Sequence, residues 1–135
     1  MKELTLEATL EHIATVTDFV NEVLETMDCP MKAQIQIDVA VDEIFSNIAR
    51  YAYTDGPGMA TVRVELEQNS NAAMITFLDQ GQPYNPLESV DPDITLSAEQ
   101  RSVGGLGIFL VKKTMDGLGY EYKDGQNVFW IKKNL

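Results

Sequence analysis

Polar and apolar residues alternate from Lys2 to Ala8, the two-residue period of a half-buried strand. From Thr9 to Met27 the period lengthens: Ile13, Val16, Val20, Val23, Leu24 and Met27 recur at helical spacing, with Thr9 placed to cap the helix. Asp28-Cys29-Pro30 breaks it, because proline cannot continue a helix. A second helix is predicted from about Met31 to Tyr53, with Ile37, Val41, Ile44 and Ile48 as its core face. It stops before the turn signal Thr54-Asp55-Gly56-Pro57-Gly58. Two strands follow, Ala60 to Glu67 and Ala72 to Leu78, joined as a hairpin by Gln68-Asn69-Ser70-Asn71. A long irregular stretch from Asp79 to about Val103 carries Pro83, Pro86 and Pro92, a length uncommon in a compact domain and usual for functional lids or disordered segments. A third helix is predicted from near Gly105 to around Asp116, with Gly117 as its stop. The chain closes on a second hairpin, Gly119 to Lys123 and Val128 to Lys132, turning at Asp124-Gly125.

Helices and strand pairs in this order predict an α+β fold, a two-layer α/β sandwich with helices on one face of a mixed, mostly antiparallel sheet. Strict βαβ alternation is missing, which argues against a doubly wound parallel sheet. The 135 residues fit a single domain, 1–135, long enough to bury a core.

Charge narrows the function classes. Twenty-one acids against 10 bases give a net charge of −11. Such a surface repels nucleic acid, whose binding needs Lys and Arg against phosphate, and offers nothing to anionic lipid. An anionic ligand here therefore needs a local device: a helix N-terminus, backbone N–H groups or a bridging cation. The N-terminus lacks the apolar core of a signal peptide and no apolar run is long enough to span a bilayer, so the expected location is the cytoplasm. Cys29, the sole cysteine, excludes an internal disulfide. His12 reads as a surface residue, and Met27, Met31 and Met115 as core filler.

Three segments carry candidate chemistry. On the second helix, Glu43, Asn47 and Arg50 form a stripe beside the core face. An amide oxygen suits Mg²⁺ and a carboxylate can take a proton from a hydroxyl; a plain solvated helix edge has the same pattern. At the end of the second hairpin strand stands Asp79-Gln80-Gly81. A carboxylate there can accept the exocyclic amine of adenine, and Gly81 permits close approach, although Asp and Gly also simply make turns. Third, Gly104-Gly105-Leu106-Gly107 opens the last helix, with Arg101 just before it. Glycines at a helix start expose N–H groups to a phosphate, or make a bare hinge. No Gly-Lys-Ser or Gly-Lys-Thr follows, so this is not a Walker A loop.

The order of these segments, a helix with Glu and Asn, then Asp-x-Gly, a long loop and Gly-x-Gly, resembles the GHKL (Bergerat-fold) ATPase superfamily from Leu4 to Lys133. Three stretches are similar, more closely, to the anti-sigma factor serine/threonine kinases. They are Asp42-Glu43-Ile44-Phe45-Ser46-Asn47-Ile48-Ala49-Arg50-Tyr51-Ala52-Tyr53, Asp79-Gln80-Gly81-Gln82-Pro83-Tyr84-Asn85-Pro86, and the run from Gly104 to Asp116.

The resemblance implies a protein-serine/threonine kinase using ATP and Mg²⁺. It implies Asn47 as the metal ligand, Asp79 as the reader of adenine and Gly81 as room for the base. Gly105, Leu106 and Gly107 would bring N–H groups to the phosphates, with Arg101 a lid contact, and Glu43 would be the catalytic base. The implied acceptor is an anti-anti-sigma (STAS-type) protein and the regulated partner a sigma factor, and a homodimer is compatible with the family. A nucleotide-dependent partner-binding module without phosphotransfer is the alternative. One departure stands out: where many members place a Thr in a late strand, this chain has Phe129-Trp130-Ile131.

Overall fold

The computed structural model describes residues 1–88 and 105–135. It contains strand β1 (Lys2–Glu7), helices α1 (Ile13–Thr26) and α2 (Met31–Tyr51), strands β2 (Met59–Glu67) and β3 (Ala72–Asp79), helix α3 (Gly105–Thr114), and strands β4 (Gly117–Lys123) and β5 (Gln126–Asn134). The strands form one sheet in the order β1-β2-β3-β5-β4. Every pairing among the described residues is antiparallel, so the expected mixed sheet is uniform.

The alternation in β2 sends Ala60, Val62 and Val64 inward, beside Ile75 and Phe77 of β3 and Phe129 and Ile131 of β5. The helices complete this core with Val16, Val20 and Leu24 of α1 and Ile37, Val41, Ile44 and Phe45 of α2. The core face expected of α2 is therefore buried in full, down to Ile48. At the β1–β2 edge the opposite face of the sheet is polar: Arg63 Nε meets Glu3 at 2.6 Å, and the Thr5 and Thr61 hydroxyls bond across the strands at 2.9 Å.

Four local expectations change. Thr9 does begin a helical segment, but as a 3₁₀ turn over Leu10–His12 ahead of α1, and its hydroxyl goes to His12 Nδ1 at 3.2 Å rather than to a helix N–H. His12 is half-buried, its Nδ1 also 2.8 Å from the Glu7 carbonyl, so it ties β1 to that turn. Met31 is exposed at the start of α2, unlike buried Met115. Gly117 is not a helix stop but the first residue of β4, paired with Lys132. The end of α3 is held instead by Lys133, whose Nζ donates to the Thr114 carbonyl at 2.7 Å. Asp124 and Gly125 turn the final hairpin with φ of 54° and 77°, the left-handed pair of a two-residue turn.

No helix among the described residues is long and apolar enough to cross a membrane.

Candidate functional site

One cavity opens between the C-terminal half of α2 and the ends of β3 and β5. Ile44, Asn47, Ile48 and Ala52 line it from α2 and its C-terminal end, Phe77 and Asp79 from β3, and Tyr120, Asn127 and Phe129 from the last hairpin. Tyr84 and Pro86, past the end of β3, complete the lining. The walls are apolar and aromatic, with a few polar groups turned inward, which is the make-up of a small-molecule pocket. The space is narrow, about 30 Å³, and part of the cavity opens to the surface.

Asp79 is the last residue of β3 and only 5% exposed. Its Oδ1 accepts two hydrogen bonds, from Gly81 N and Asn127 Nδ2, both 2.9 Å. Its Oδ2 accepts none from the described residues and is not sealed in, which leaves one acceptor for a ligand. Burial pushes the carboxyl above its ordinary value, against the downward pull of those two bonds.

Asn47, 8% exposed, lies one helical turn beyond Glu43 and donates to its Oε1 at 3.4 Å. The Asn47 carboxamide oxygen takes no hydrogen bond among the described residues. Glu43 is half-buried; desolvation raises its pKa, Asn47 lowers it, Asp42 raises it and Arg50 lowers it. Arg50 itself is exposed and points the stripe away from the cavity.

The Glu43 carboxylate rests on Gly107. A Cβ built on Gly107 falls 2.1 Å from both Cδ and Oε2 of Glu43, so only glycine lets α3 approach this closely. Gly105 and Leu106 supply the first backbone positions of α3, whose opening N–H groups have no partner within the helix. The helix start and the carboxylate thus stand side by side. Arg101, the remaining expected contact, lies outside the described residues, as does Gly104.

Gly81 lies against the end of α2. A Cβ there would fall 2.1 Å from the Ala52 carbonyl oxygen, at the end of α2. The whole turn after β3 is moored to that end: Gln82 N donates to Ala52 O at 2.7 Å, Gln82 Nε2 to Tyr51 O at 2.7 Å, and Gln80 N to the Tyr53 hydroxyl at 2.9 Å. The Tyr51 and Tyr84 rings lie 5.4 Å apart over this junction.

Asn127 was not foreseen. It is 5% exposed and directly opposite Asp79 in the β3–β5 register. It stands on the strand whose missing Thr marked the departure noted above, two residues before Phe129, and it supplies the polar partner that Asp79 requires. The signal available in the sequence was a lone Asn opening a strand, which by itself says nothing.

ATP and Mg²⁺ fit these groups chemically. Asp79 Oδ2 suits an exocyclic amine, and the Asn47 oxygen suits a hard cation. Among the described residues no group of three His, Cys, Asp or Glu could hold a metal ion, so a cation at Asn47 depends on phosphate oxygens and water for its other ligands.

Fold and cavity together define an ATPase-type domain, and the sequence agrees: residues 6–133 match the histidine kinase-like ATPase domain, and the chain belongs to that GHKL family. Among individual proteins it is similar to the serine/threonine-protein kinase BtrW of Bordetella bronchiseptica, 27% identical over 96 residues, 71% of this chain and 67% of BtrW. It is also similar to the serine-protein kinase RsbW of Bacillus cereus, 25% identical over 132 residues, 96% of this chain and 82% of RsbW. Among solved structures, the histidine kinase domain of the Erythrobacter litoralis EL346 blue-light activated histidine kinase shares the fold, with a TM-score of 0.59 at 14% identity. That likeness covers 93% of this chain and 60% of the larger one.

Proposed function

We propose that this protein is a cytoplasmic protein-serine kinase that uses Mg-ATP to phosphorylate an anti-anti-sigma partner, and that controls a sigma factor by exchanging one partner for the other. The observation that carries the proposal is that Glu43 touches both Gly107, at the start of α3, and Asn47, which lines the cavity that holds Asp79. The serine-kinase names of relatives aligned over most of the chain support the choice of acceptor class.

In this site ATP supplies the phosphoryl group, and Mg²⁺ neutralises its charge. The chain does the rest. Asp79 accepts the base amine through Oδ2, and the apolar walls of Ile44, Ile48, Phe77 and Phe129 exclude water around the ring. Asn47 offers one oxygen to the cation. The N–H groups opening α3 face negative charge with the helix dipole behind them. Glu43, its pKa raised by burial toward the working pH, takes the proton of the attacking serine hydroxyl. Positioning and charge stabilisation supply most of the rate in such transfers.

The test is transfer of labelled γ-phosphate to serine on a partner captured from the native cell. Glu43→Gln is expected to abolish transfer while ATP still binds by calorimetry. Normal transfer by that variant removes Glu43 as base. ATP binding without any transfer by the wild-type protein favours a nucleotide-dependent binding module, and no heat with ATP or ADP, with or without Mg²⁺, refutes both.

A further inference from the structure

Asn127 has every hydrogen-bonding position of its carboxamide in use. Its Nδ2 donates to Asp79 Oδ1 and to the Gln82 carbonyl, both at 2.9 Å. Its Oδ1 accepts from Tyr84 N at 3.2 Å and from the Tyr120 hydroxyl. A carboxamide saturated in this way cannot turn, and it cannot exchange its N and O ends without setting donors against donors. One side chain on β5 therefore grips three things at once: the buried carboxylate, the Gln82–Tyr84 segment beside the cavity, and the neighbouring strand β4.

We propose that Asn127 is a positioning residue for the nucleotide: it turns one oxygen of Asp79 toward the base, and it holds in place the Gln82–Tyr84 stretch from which Tyr84 reaches the cavity wall. The proposal deepens the adenine-site reading and rests on it. Because Oδ1 is committed to Asn127 and Gly81, Oδ2 is the oxygen left to meet an exocyclic amine. Because the same carboxamide also holds Tyr84 N, one side chain fixes both the adenine-reading carboxylate and the adjoining cavity wall. The titratable groups facing Asp79 are the phenols of Tyr53, beyond α2, and Tyr120 in β4. Among the described residues no charged side chain contributes to its shift, so the donors on Oδ1 are what oppose the upward push of burial.

The experiment measures ATP dissociation constants by calorimetry between pH 5 and pH 8, beside those for purine riboside triphosphate, which lacks the amine. The wild type is expected to prefer ATP. In Asn127→Ala, ATP binding weakens about tenfold, the scale of one lost hydrogen bond to a charged group. The deficit grows as pH falls, since Asp79 loses a donor and protonates sooner, and the preference over the amine-free analogue shrinks. Asn127→Asp keeps the size and reverses the pH slope: two facing carboxylates repel at pH 8, and binding recovers on acidification as one proton is shared between them. Unchanged ATP affinity, pH profile and base preference in a folded Asn127→Ala, or an Asn127→Asp profile parallel to the wild type, overturns the proposal while leaving the adenine site standing. A wild type that binds both triphosphates equally overturns the adenine reading itself, and this inference with it.

Discussion

The carboxylate of Glu43 lies so close to the Cα of Gly107 that a single added methyl group would occupy the same space, 2.1 Å from Cδ and Oε2. Two residues 64 positions apart, one in the middle of α2 and one in the first turn of α3, thus share a boundary with no slack. The neighbour on the Glu43 side is the far end of a flexible side chain, so the chain can fold around a larger residue by moving the carboxylate. Gly107→Ala is expected to melt within about 1 kcal/mol of the wild type and yet to lose about 100-fold in phosphoryl transfer, because a shift of about 1 Å at a reacting group costs that much. Parallel melting and transfer assays check it; equal loss of both would mean that the glycine serves folding alone.

Acid sensitivity should track Glu43. Its pKa is raised, chiefly by desolvation, and the base acts only when ionised. Transfer is therefore expected to fall as pH drops through a midpoint above the ordinary glutamate range. Arg50→Gln removes a charge that lowers that pKa, and should move the midpoint higher still. A pH–rate profile at saturating ATP measures both, and an unmoved midpoint in Arg50→Gln would argue for another titrating group.

At Gly81 the obstructing atom is the backbone oxygen of Ala52, which cannot swing aside. Gly81→Ala should cost about 2 kcal/mol or more in unfolding free energy, as overpacking against rigid structure does. Chemical denaturation gives the value. The contrast with Gly107→Ala is the informative part: one alanine harms the fold, the other the chemistry.

Between α1 and α2, Asn21 Nδ2 reaches Asp38 Oδ2 at 3.4 Å, while Asn21 Oδ1 and Asp38 Oδ1 are both buried without partners. Burial raises the Asp38 pKa, and Cys29 is the titratable neighbour whose own shift Asp38 augments. A carboxyl with a raised folded pKa binds its proton more tightly in the native state. Its contribution to stability is full below the unfolded value and is lost as pH climbs through the folded one. Asp38→Asn can put an NH2 group in place of the unpaired Asp38 Oδ1, beside the other unpaired acceptor, Asn21 Oδ1. It is expected to stabilise the protein by about 1 kcal/mol at pH 7 and to flatten that part of the pH–stability curve. Thermal melts of both proteins at pH 4 and pH 7 decide the matter.

The legible parts of the fold were those governed by local rules. Periodicity fixed α2 and its core face, and Asp124-Gly125 announced the final hairpin, because both depend on residues close in sequence. Glu43 and Asn47 were readable for the same reason, being one helical turn apart. Asn127 was not, since its meaning comes from lying across the sheet from Asp79, a pairing set by the β3–β5 register and by no local pattern. For Gly81 the sequence shows that a side chain is unwelcome but not that the Ala52 oxygen is an atom that refuses it. Gly117 was misread because a glycine after a helix ordinarily ends it, whereas here Lys133, arriving from the last strand, holds the final carbonyl.

The turn behind Asp79 is fastened to α2 by Gln80, Gln82 and the Tyr53 phenol, while Asp79 itself belongs to the sheet. Fraying of that helix's last turn, the easiest local opening available to it, would slacken the grip on a purine before any strand parted. Warming would then empty the protein of its nucleotide well ahead of unfolding it.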